Sequence, residues 1–247
     1  MQAIILAAGV GERLGVAAAG KPKSLLNMGG ISLLLRHCRG LSALGVDEIH
    51  VVTGYEAAQI NTELDTLPDS DRIRRIINSE YRQGSVVSLW SARDVLRGGT
   101  PVILMDADVL CDSRILEKLM HTSVANCFLL DRNFEPGDEP VKLCSNRGRI
   151  VEFRKQVAAG LEFDLQGESV GFFRFAPEMA ARLAVRCEEY VSQGLIREPY
   201  EEVIRDLALE TPEEFGYEDV TGLPWIEIDF PGDVSRAEDE ILPRIKS

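Results

Sequence analysis

A short apolar run that ends in a glycine loop constrains the fold of this chain more than any other feature. Residues 2–7 read QAIILA, which is typical of a strand buried on both faces of a parallel sheet. A Gly- and Ala-rich loop follows to about residue 22, then a helical pattern at 32–44 and a second apolar run at 48–54. This order predicts a βαβ unit, in which the two strands are parallel.

The alternation continues through the first half of the chain and then changes. We predict further helices at 56–66, 85–97, 177–194, 199–209 and 231–245, and further strands at 72–77, 101–108, 125–131, 141–145, 149–154, 168–175 and 225–229. The four strands between 125 and 175 are separated by turn sequences and are expected to be antiparallel. The pattern predicts an α/β fold: one mostly parallel mixed sheet with helices on both faces and an antiparallel extension in the second half.

Charge and cysteine usage exclude several classes of protein. The 247 residues contain 27 Lys and Arg against 40 Asp and Glu, a net charge of −13, which repels nucleic acid and anionic lipid. The five cysteines have no CxxC spacing, so we expect neither a zinc site nor a disulfide framework. The N-terminal apolar run lacks a basic flank and is too short for a membrane span. We therefore expect a cytoplasmic protein made of a single domain.

The loop after the first predicted strand carries the first candidate site. It reads LAAGVGERL at 6–14, and its glycines would let backbone N–H groups surround a phosphate while Arg13 supplies a bidentate partner. A bare GxG also occurs in ordinary strand-to-helix turns. Leu14 stands where a dinucleotide fingerprint needs Gly, and Pro22 stands where a P-loop needs Ser or Thr. The fixed φ of Pro22 could direct Lys23 back toward the glycine loop.

Acidic residues follow two of the predicted strands. MDAD ends at Asp108, and IEID contains Glu227 and Asp229. Carboxylates at the carboxyl ends of parallel strands lie where α/β folds bind ligands, although a helix cap is the commoner role for such a residue. If Asp108 and Asp229 meet, they form a hard oxygen site suited to Mg²⁺. Gln83-Gly84-Ser85 precedes a helix and could either recognise a base or provide only a helix cap at Ser85.

These motifs together resemble the sugar-phosphate-type nucleotidyltransferases, whose signature is LAAGxGxRL followed by PK. The stretches GKPKSLL and NSEYRQGSVVSLWSA, with IEID before the last helix, look most like the bacterial phosphocholine and inositol-1-phosphate cytidylyltransferases. The resemblance implies a Rossmann-like sheet of the nucleotide-diphospho-sugar transferase type. It also implies a nucleotide-binding half at 1–120 and an acceptor-binding half at 121–247.

The reaction implied by the resemblance is in-line attack by a phosphate or phosphonate oxygen on the α-phosphorus of CTP, with release of pyrophosphate. Arg13 and Lys23 would be the catalytic cations, and Asp108 and Asp229 would hold Mg²⁺. The residues expected to contact the nucleotide are Leu6, Ala7, Ala8, Gly9, Gly11, Gln83, Gly84, Ser85 and Asp106.

The acceptor is less constrained by the sequence. Relatives that take phosphocholine hold its quaternary ammonium with aromatic rings, whereas this chain reads EPVK at 139–142 and PYEE at 199–202. The residues expected to line the acceptor pocket are Lys142, Tyr200, Glu201 and Glu227. This set favours a polyol phosphate, an aminoalkyl phosphate or a phosphonate over phosphocholine.

Two alternative functions remain at this point. One is a uridylyl- or thymidylyltransferase acting on a sugar 1-phosphate, and the other is a nucleotide-binding relative without catalytic activity. The identity of the acceptor and the oligomeric state, including a homodimer, also stay open.

Overall fold

The computed structural model describes residues 1–18, 20–135 and 137–246. Its strands are β1 (Gln2–Ala7), β2 (Asn27–Met28), β3 (Ile31–Ser32), β4 (Glu48–Thr53), β5 (Ile73–Ile77), β6 (Val102–Asp106), β7 (Val109–Cys111), β8 (Asn126–Asp131), β9 (Lys142–Asn146), β10 (Arg149–Arg154), β11 (Leu165–Phe175), β12 (Phe215–Asp219) and β13 (Trp225–Glu227). Its α-helices are α1 (Leu33–Ala43), α2 (Ala57–Leu64), α3 (Ser85–Ser91), α4 (Arg93–Leu96), α5 (Ser113–His121), α6 (Pro177–Ser192), α7 (Tyr200–Glu210) and α8 (Pro231–Arg236).

The main sheet has the order β10-β9-β11-β6-β1-β4-β5, and β8 and β12 extend it from β11. β6, β1, β4 and β5 are parallel, whereas β11 runs antiparallel to β6, β8 and β9. β9 and β10 also pair antiparallel. The predicted α/β fold, with a parallel first half and an antiparallel extension, is therefore confirmed.

The first strand is buried on both of its faces, as its apolar run predicts. Ile4 belongs to a core layer under α3, α6 and α7, while Ala3 and Ile5 belong to a second layer under α1, α2 and α5. All three side chains are fully buried. Because successive side chains of a strand point to opposite faces, a strand covered by helices on both sides needs apolar residues throughout.

Four features of the fold differ from the predictions. The helix predicted at 85–97 is divided at Ala92 into α3 and α4. The hairpin β2–β3 and the strands β7 and β12 were missed, because two of these elements are very short and β12 is only partly apolar. The strand predicted at 225–229 ends at Glu227 and pairs with β7 rather than with the main sheet. The helix predicted at 231–245 is broken into α8, a π-helical turn at Ala237–Ile241 and a 3₁₀ turn at Leu242–Arg244; this last turn contains Pro243, whose ring disfavours a continuous α-helix.

No helix within the described ranges combines the length and the apolar character needed to cross a membrane.

Candidate active site

A cavity of about 490 Å³ opens at the carboxyl ends of β1 and β6. The glycine loop forms one side of it, and the segment before α3 forms the other. Its lining residues are Leu6, Ala7, Ala8, Gly9, Val10, Gly11, Glu12, Arg13, Pro22, Lys23, Ser24, Tyr81, Arg82, Gln83, Ser85, Ser88, Asp106, Ala107 and Asp108. Every residue predicted from the sequence to contact the nucleotide lies in this lining except Gly84.

Gly84 packs against the protein rather than against this cavity. Its N–H donates a hydrogen bond to the carbonyl of Ile196 at 2.8 Å, and a Cβ at this position would lie 2.3 Å from the carbonyl oxygen of Glu198. Only glycine allows the two segments to come so close. This corrects the expectation that Gly84 contacts the nucleotide.

The role of Ser85 as a helix cap is also corrected. The N-cap of α3 is Gly84, and the Ser85 hydroxyl instead accepts a hydrogen bond from the backbone N–H of Tyr200 at 2.9 Å. This bond connects the first turn of α3 to the start of α7. Ser85 thus lines the cavity and also holds the second half of the chain against the first.

The glycine loop lets Lys23 reach the rim of the cavity. Gly11 has a φ of +67°, and a Cβ there would lie 2.8 Å from Cγ of Lys23. Pro22 has an extended backbone and directs Lys23 toward the loop, as the sequence suggested. The lysine side chain is only 11% exposed, so its charge is fixed close to the loop.

The two cations predicted to be catalytic meet at a single carboxylate. The ammonium of Lys23 donates to Oδ1 of Asp229, and also to Oδ2 of Asp108 at 3.3 Å. The guanidinium of Arg13 lies 3.0 Å from Oδ2 of Asp229 and donates to Glu139 at 2.7 Å. The structure therefore brings together Arg13, Lys23, Asp108 and Asp229, which are widely separated in the sequence.

Pairing of β7 with β13 produces this meeting. The register places Glu227 opposite Val109, and the N–H of Ile228 donates to the carbonyl of Asp108 at 3.0 Å. As a result, the residues on either side of Ile228 lie beside Asp108. The acidic residues that follow β6 and those at 227–229 form one site because the short strands β7 and β13 pair with each other outside the main sheet.

Asp108, Glu227 and Asp229 form an acidic triad whose carboxylate oxygens lie within 4.8 Å of one another. Burial raises the pKa of Asp108, although Lys23 opposes the shift. Desolvation within the cluster, together with the charges of Asp108 and Asp229, raises the pKa of Glu227 to about 8. In both groups burial is the largest cause of the shift, and the negative charge of a neighbouring carboxylate adds to it.

The donor set of the triad fits Mg²⁺, which prefers oxygen ligands and takes one or two carboxylates besides phosphate oxygens and waters. The sequence predicted Asp108 and Asp229 as the metal ligands and Glu227 as an acceptor residue, whereas the structure brings all three carboxylates together. The available signal was its spacing of two from Asp229, which indicated a shared face.

Tyr200 is buried beside Asp106, a half-buried residue that lines the first cavity. The Tyr200 hydroxyl donates to Oδ2 of Asp106 at 2.6 Å, and Tyr200 is only 3% exposed. Burial, followed by the charge of Asp108, raises the pKa of Asp106 well above its usual range. The prediction that Tyr200 binds the acceptor does not match the structure, because Tyr200 is buried and its hydroxyl donates to Asp106.

Two further acceptor assignments do not match the structure. The ammonium of Lys142 donates to the backbone carbonyls of Gly137 and Lys155 at 2.7 Å each, and to that of Pro140 at 3.3 Å, so it holds a loop rather than facing a ligand. Glu201 has a buried carboxylate oxygen without a hydrogen-bond partner among the described residues, and it lines neither of the cavities beside the triad. Burial raises its pKa to about 7.

A second cavity, of about 640 Å³, lies on the other side of the triad. Glu227 and Asp229 line it, whereas Asp108 lines the first cavity. Its other acidic lining residues are Asp131, Glu135, Asp138, Glu139, Glu168, Asp233 and Glu240, and its aromatic residues are Phe134, Trp225 and Phe230. The sequence predicted Tyr200 as the aromatic residue of the acceptor pocket, whereas this cavity is lined by three other aromatic residues.

The two cavities adjoin each other at the acidic triad. One cavity has a glycine loop and two cations suited to a polyphosphate. The other cavity suits a small molecule with donor or cationic groups. The carboxylates that fit a divalent cation stand between them, where the two molecules would meet.

Comparison with known proteins supports a family assignment. A family model described as "MobA-like NTP transferase domain" matches residues 3–162. Over 98% of its length the chain is 25% identical to the "CMP-5'-(3-aminopropyl)phosphonate synthase" of Streptomyces rubellomurinus, covering 39% of that protein. Over 97% of its length it is 29% identical to the "Bifunctional IPC transferase and DIPP synthase" of Rubrobacter xylanophilus, covering 52% of that protein. The chain thus spans about half or less of these two curated relatives.

The fold also matches a solved structure. The inositol-1-phosphate CTP transferase from T. maritima superposes with a TM-score of 0.73 over 97% of both chains, at 18% sequence identity. At this identity the likeness concerns the fold alone.

Proposed function

This chain belongs to the MobA-like NTP transferase domain family, and we propose that it transfers CMP from CTP to a small phospho-alcohol or phosphonate in a Mg²⁺-dependent reaction that releases pyrophosphate. The observation that carries this proposal is the position of the acidic triad and its two cations between the two cavities. If the nucleotide binds in the first cavity and the acceptor in the second, the α-phosphate of the nucleotide and the phosphate or phosphonate of the acceptor would both lie beside these charged residues.

The chain's own residues account for the chemistry of the transfer. An oxygen of the acceptor phosphate forms a bond to the α-phosphorus of the nucleotide as the bond to the β-phosphate breaks, and pyrophosphate leaves. Arg13 and Lys23 would stabilise the negative charge that moves onto the leaving group. A phosphate or phosphonate oxygen is already ionised at neutral pH, so no general base is needed. A Mg²⁺ ion held by the triad would supply further charge neutralisation and alignment.

The acceptor proposal rests on the second cavity and on one relative. Carboxylates accept hydrogen bonds from hydroxyls and pair with ammonium groups. Phe134 and Trp225 add aromatic surface to the lining, whereas the Phe230 ring already lies against the Arg13 guanidinium, 5.2 Å from the ring centroid. The name of the Streptomyces relative specifies an aminoalkylphosphonate joined to CMP. We therefore propose that the acceptor is a polyol phosphate, an aminoalkyl phosphate or an aminoalkylphosphonate. Phosphocholine is included among the acceptors to be tested.

The two halves of the chain are proposed to act as one domain. β6 from the first half pairs with β11 from the second, and one core layer contains residues of both. Residues 1–120 would supply the nucleotide site and 121–247 most of the acceptor site. All five cysteines are free, which fits the proposed cytoplasmic location.

The decisive experiment measures pyrophosphate release with each of CTP, UTP, dTTP and GTP, Mg²⁺ and a panel of acceptors, with product masses determined in parallel. The panel contains inositol 1-phosphate, phosphoethanolamine, 2-aminoethylphosphonate, phosphocholine and glucose 1-phosphate. We expect the highest kcat/KM with CTP and one of the first four acceptors, and no turnover by an Asp229→Ala control. Turnover of glucose 1-phosphate with UTP or dTTP would establish the sugar nucleotidyltransferase alternative, and nucleotide binding without any turnover would indicate an inactive relative.

A further inference from the structure

Two buried polar residues, Asn78 and Ser88, form a pair at the wall of the first cavity. Asn78 follows the end of β5 and is 2% exposed, and Ser88 lies on α3 and is 7% exposed. Ser88 is among the residues that line the first cavity. The side-chain amide of Asn78 donates to the Ser88 hydroxyl oxygen at 3.0 Å.

The orientation of the Asn78 amide is fixed by its other hydrogen bond. Its oxygen accepts from the backbone N–H of Glu80 at 2.9 Å, so its NH₂ group must be the end that faces Ser88. The serine oxygen therefore acts as acceptor in this pair. Within the described residues the Ser88 hydroxyl donates to no protein group, which leaves its proton for a ligand in the cavity.

We propose that Ser88 selects the nucleobase, and that Asn78 acts through it as a positioning residue. The Ser88 hydroxyl, held as a donor by Asn78, would donate to N3 of cytosine. This inference rests on the proposed use of CTP. Cytosine has a bare acceptor at N3, whereas uracil and thymine carry an N3–H there, which would oppose the serine proton. A site that hydrogen-bonds one base in this way leaves its own donor unpaired with the other.

The direction of the Asn78–Ser88 bond gives the proposal a specific test. In an Asn78→Asp variant the NH₂ group is replaced by an oxygen that can only accept. The Ser88 proton would then turn toward the new carboxylate, and the serine oxygen would face the cavity as an acceptor. The serine oxygen could then accept a hydrogen bond from the N3–H of uracil. The variant should lose preference for CTP, whereas a merely structural role for Asn78 would weaken binding of both nucleotides alike.

The experiment compares wild type, Ser88→Ala and Asn78→Asp, using kcat/KM with CTP and UTP together with calorimetric binding of each nucleotide. We expect the CTP-to-UTP ratio to fall by roughly 3- to 30-fold in Ser88→Ala, as for loss of one hydrogen bond, and at least as far in Asn78→Asp. Ser91→Ala is the matched control, because Ser91 is on the same helix and donates only to the carbonyl of Val87 at 2.8 Å. Its ratio should equal that of wild type.

A nucleotide analogue keeps the test valid if Asn78→Asp fails to fold. With 3-deaza-CTP, which lacks N3, wild type and Ser88→Ala should bind equally. Unchanged CTP-to-UTP ratios in a wild-type-like fold, or a penalty for Ser88→Ala that persists with 3-deaza-CTP, would overturn the inference while leaving CTP use established. A wild-type enzyme that prefers another triphosphate would instead overturn the proposed function.

Discussion

The close approach of Lys23 to Gly11 leads to a prediction about a residue with no chemical function of its own. In Gly11→Ala the new Cβ would lie 2.8 Å from Cγ of Lys23, nearer than two carbon atoms can come without displacement. The lysine would have to move, and its ammonium would lose its present position between Asp108 and Asp229. Alanine at the φ of +67° also costs about 1–2 kcal/mol in the left-handed conformation.

The two effects are separable because they act on different quantities. The conformational cost lowers the free energy of unfolding by about 1–2 kcal/mol, whereas displacement of Lys23 lowers the rate. Loss of one preorganised electrostatic contact typically costs about 100- to 1,000-fold in kcat. Since Lys23 is shifted but retained, we expect a loss of kcat/KM of roughly 10- to 100-fold in Gly11→Ala, below the loss caused by removing the lysine.

Gly99 provides a matched control for the conformational cost. Its φ is +71°, and a Cβ there would have no atom within 4 Å. It lies in the turn before β6, outside both cavities. Gly99→Ala should therefore lose similar stability in urea denaturation and retain wild-type kcat/KM. If Gly11→Ala also retains wild-type kcat/KM, then Gly11 does not serve to admit Lys23 and the reasoning is refuted.

Three other predictions follow from the charged groups. Lys23→Ala should lower kcat/KM by about 100- to 1,000-fold, and a steady-state loss of less than tenfold would remove Lys23 from the mechanism. Asp108→Asn and Asp229→Asn should each abolish most activity and weaken Mn²⁺ binding measured by calorimetry. The activity of the double variant should be little lower than that of the less active single variant, since the effects of residues that act as a unit are not additive. Multiplicative losses of activity would indicate separate roles. Burial alone would raise the pKa of Asp112, but hydrogen bonds from Arg114 and the Lys246 N–H lower it to about 2, below its ordinary value. The ionised form of Asp112 therefore stabilises the fold above about pH 4, and this stabilisation is lost as the pH falls toward 2. The difference in free energy of unfolding between wild type and Asp112→Ala, measured by urea denaturation, should shrink between pH 5 and pH 2. A constant difference would contradict the lowered pKa of Asp112.

The parallel half of the fold was predictable because local patterns determine it. Residues 2–7 must be buried on both faces, and a helix-length segment between two such runs enforces parallel pairing. The carboxyl end of β1 then has to carry the glycine loop. The cavity and most of its lining follow from this arrangement, since ligands bind at that edge of an α/β sheet.

The acceptor side was predicted poorly because its residues take their roles from partners that are distant in sequence. Lys142 could not be recognised as a loop anchor without the carbonyls that surround it. Tyr200 could not be recognised as the partner of Asp106 before the start of α7 was placed beside the end of β6. Phe134, Trp225 and Phe230 come from separate segments and form an aromatic lining only in the folded chain.

Local sequence patterns were enough to predict the parallel strands, the glycine loop and the identity of the charged residues, because hydrophobic periodicity and backbone preferences act over a few neighbouring positions. Which carboxylates share a site depends instead on contacts between distant segments. Asp108 and Asp229 meet, with Glu227 beside them, because β7 and β13 pair outside the main sheet, and three-residue strands carry too little pattern to reveal their partner. Likewise, the contact between Asn78 and Ser88 depends on where β5 ends relative to α3, and no local preference determines that placement.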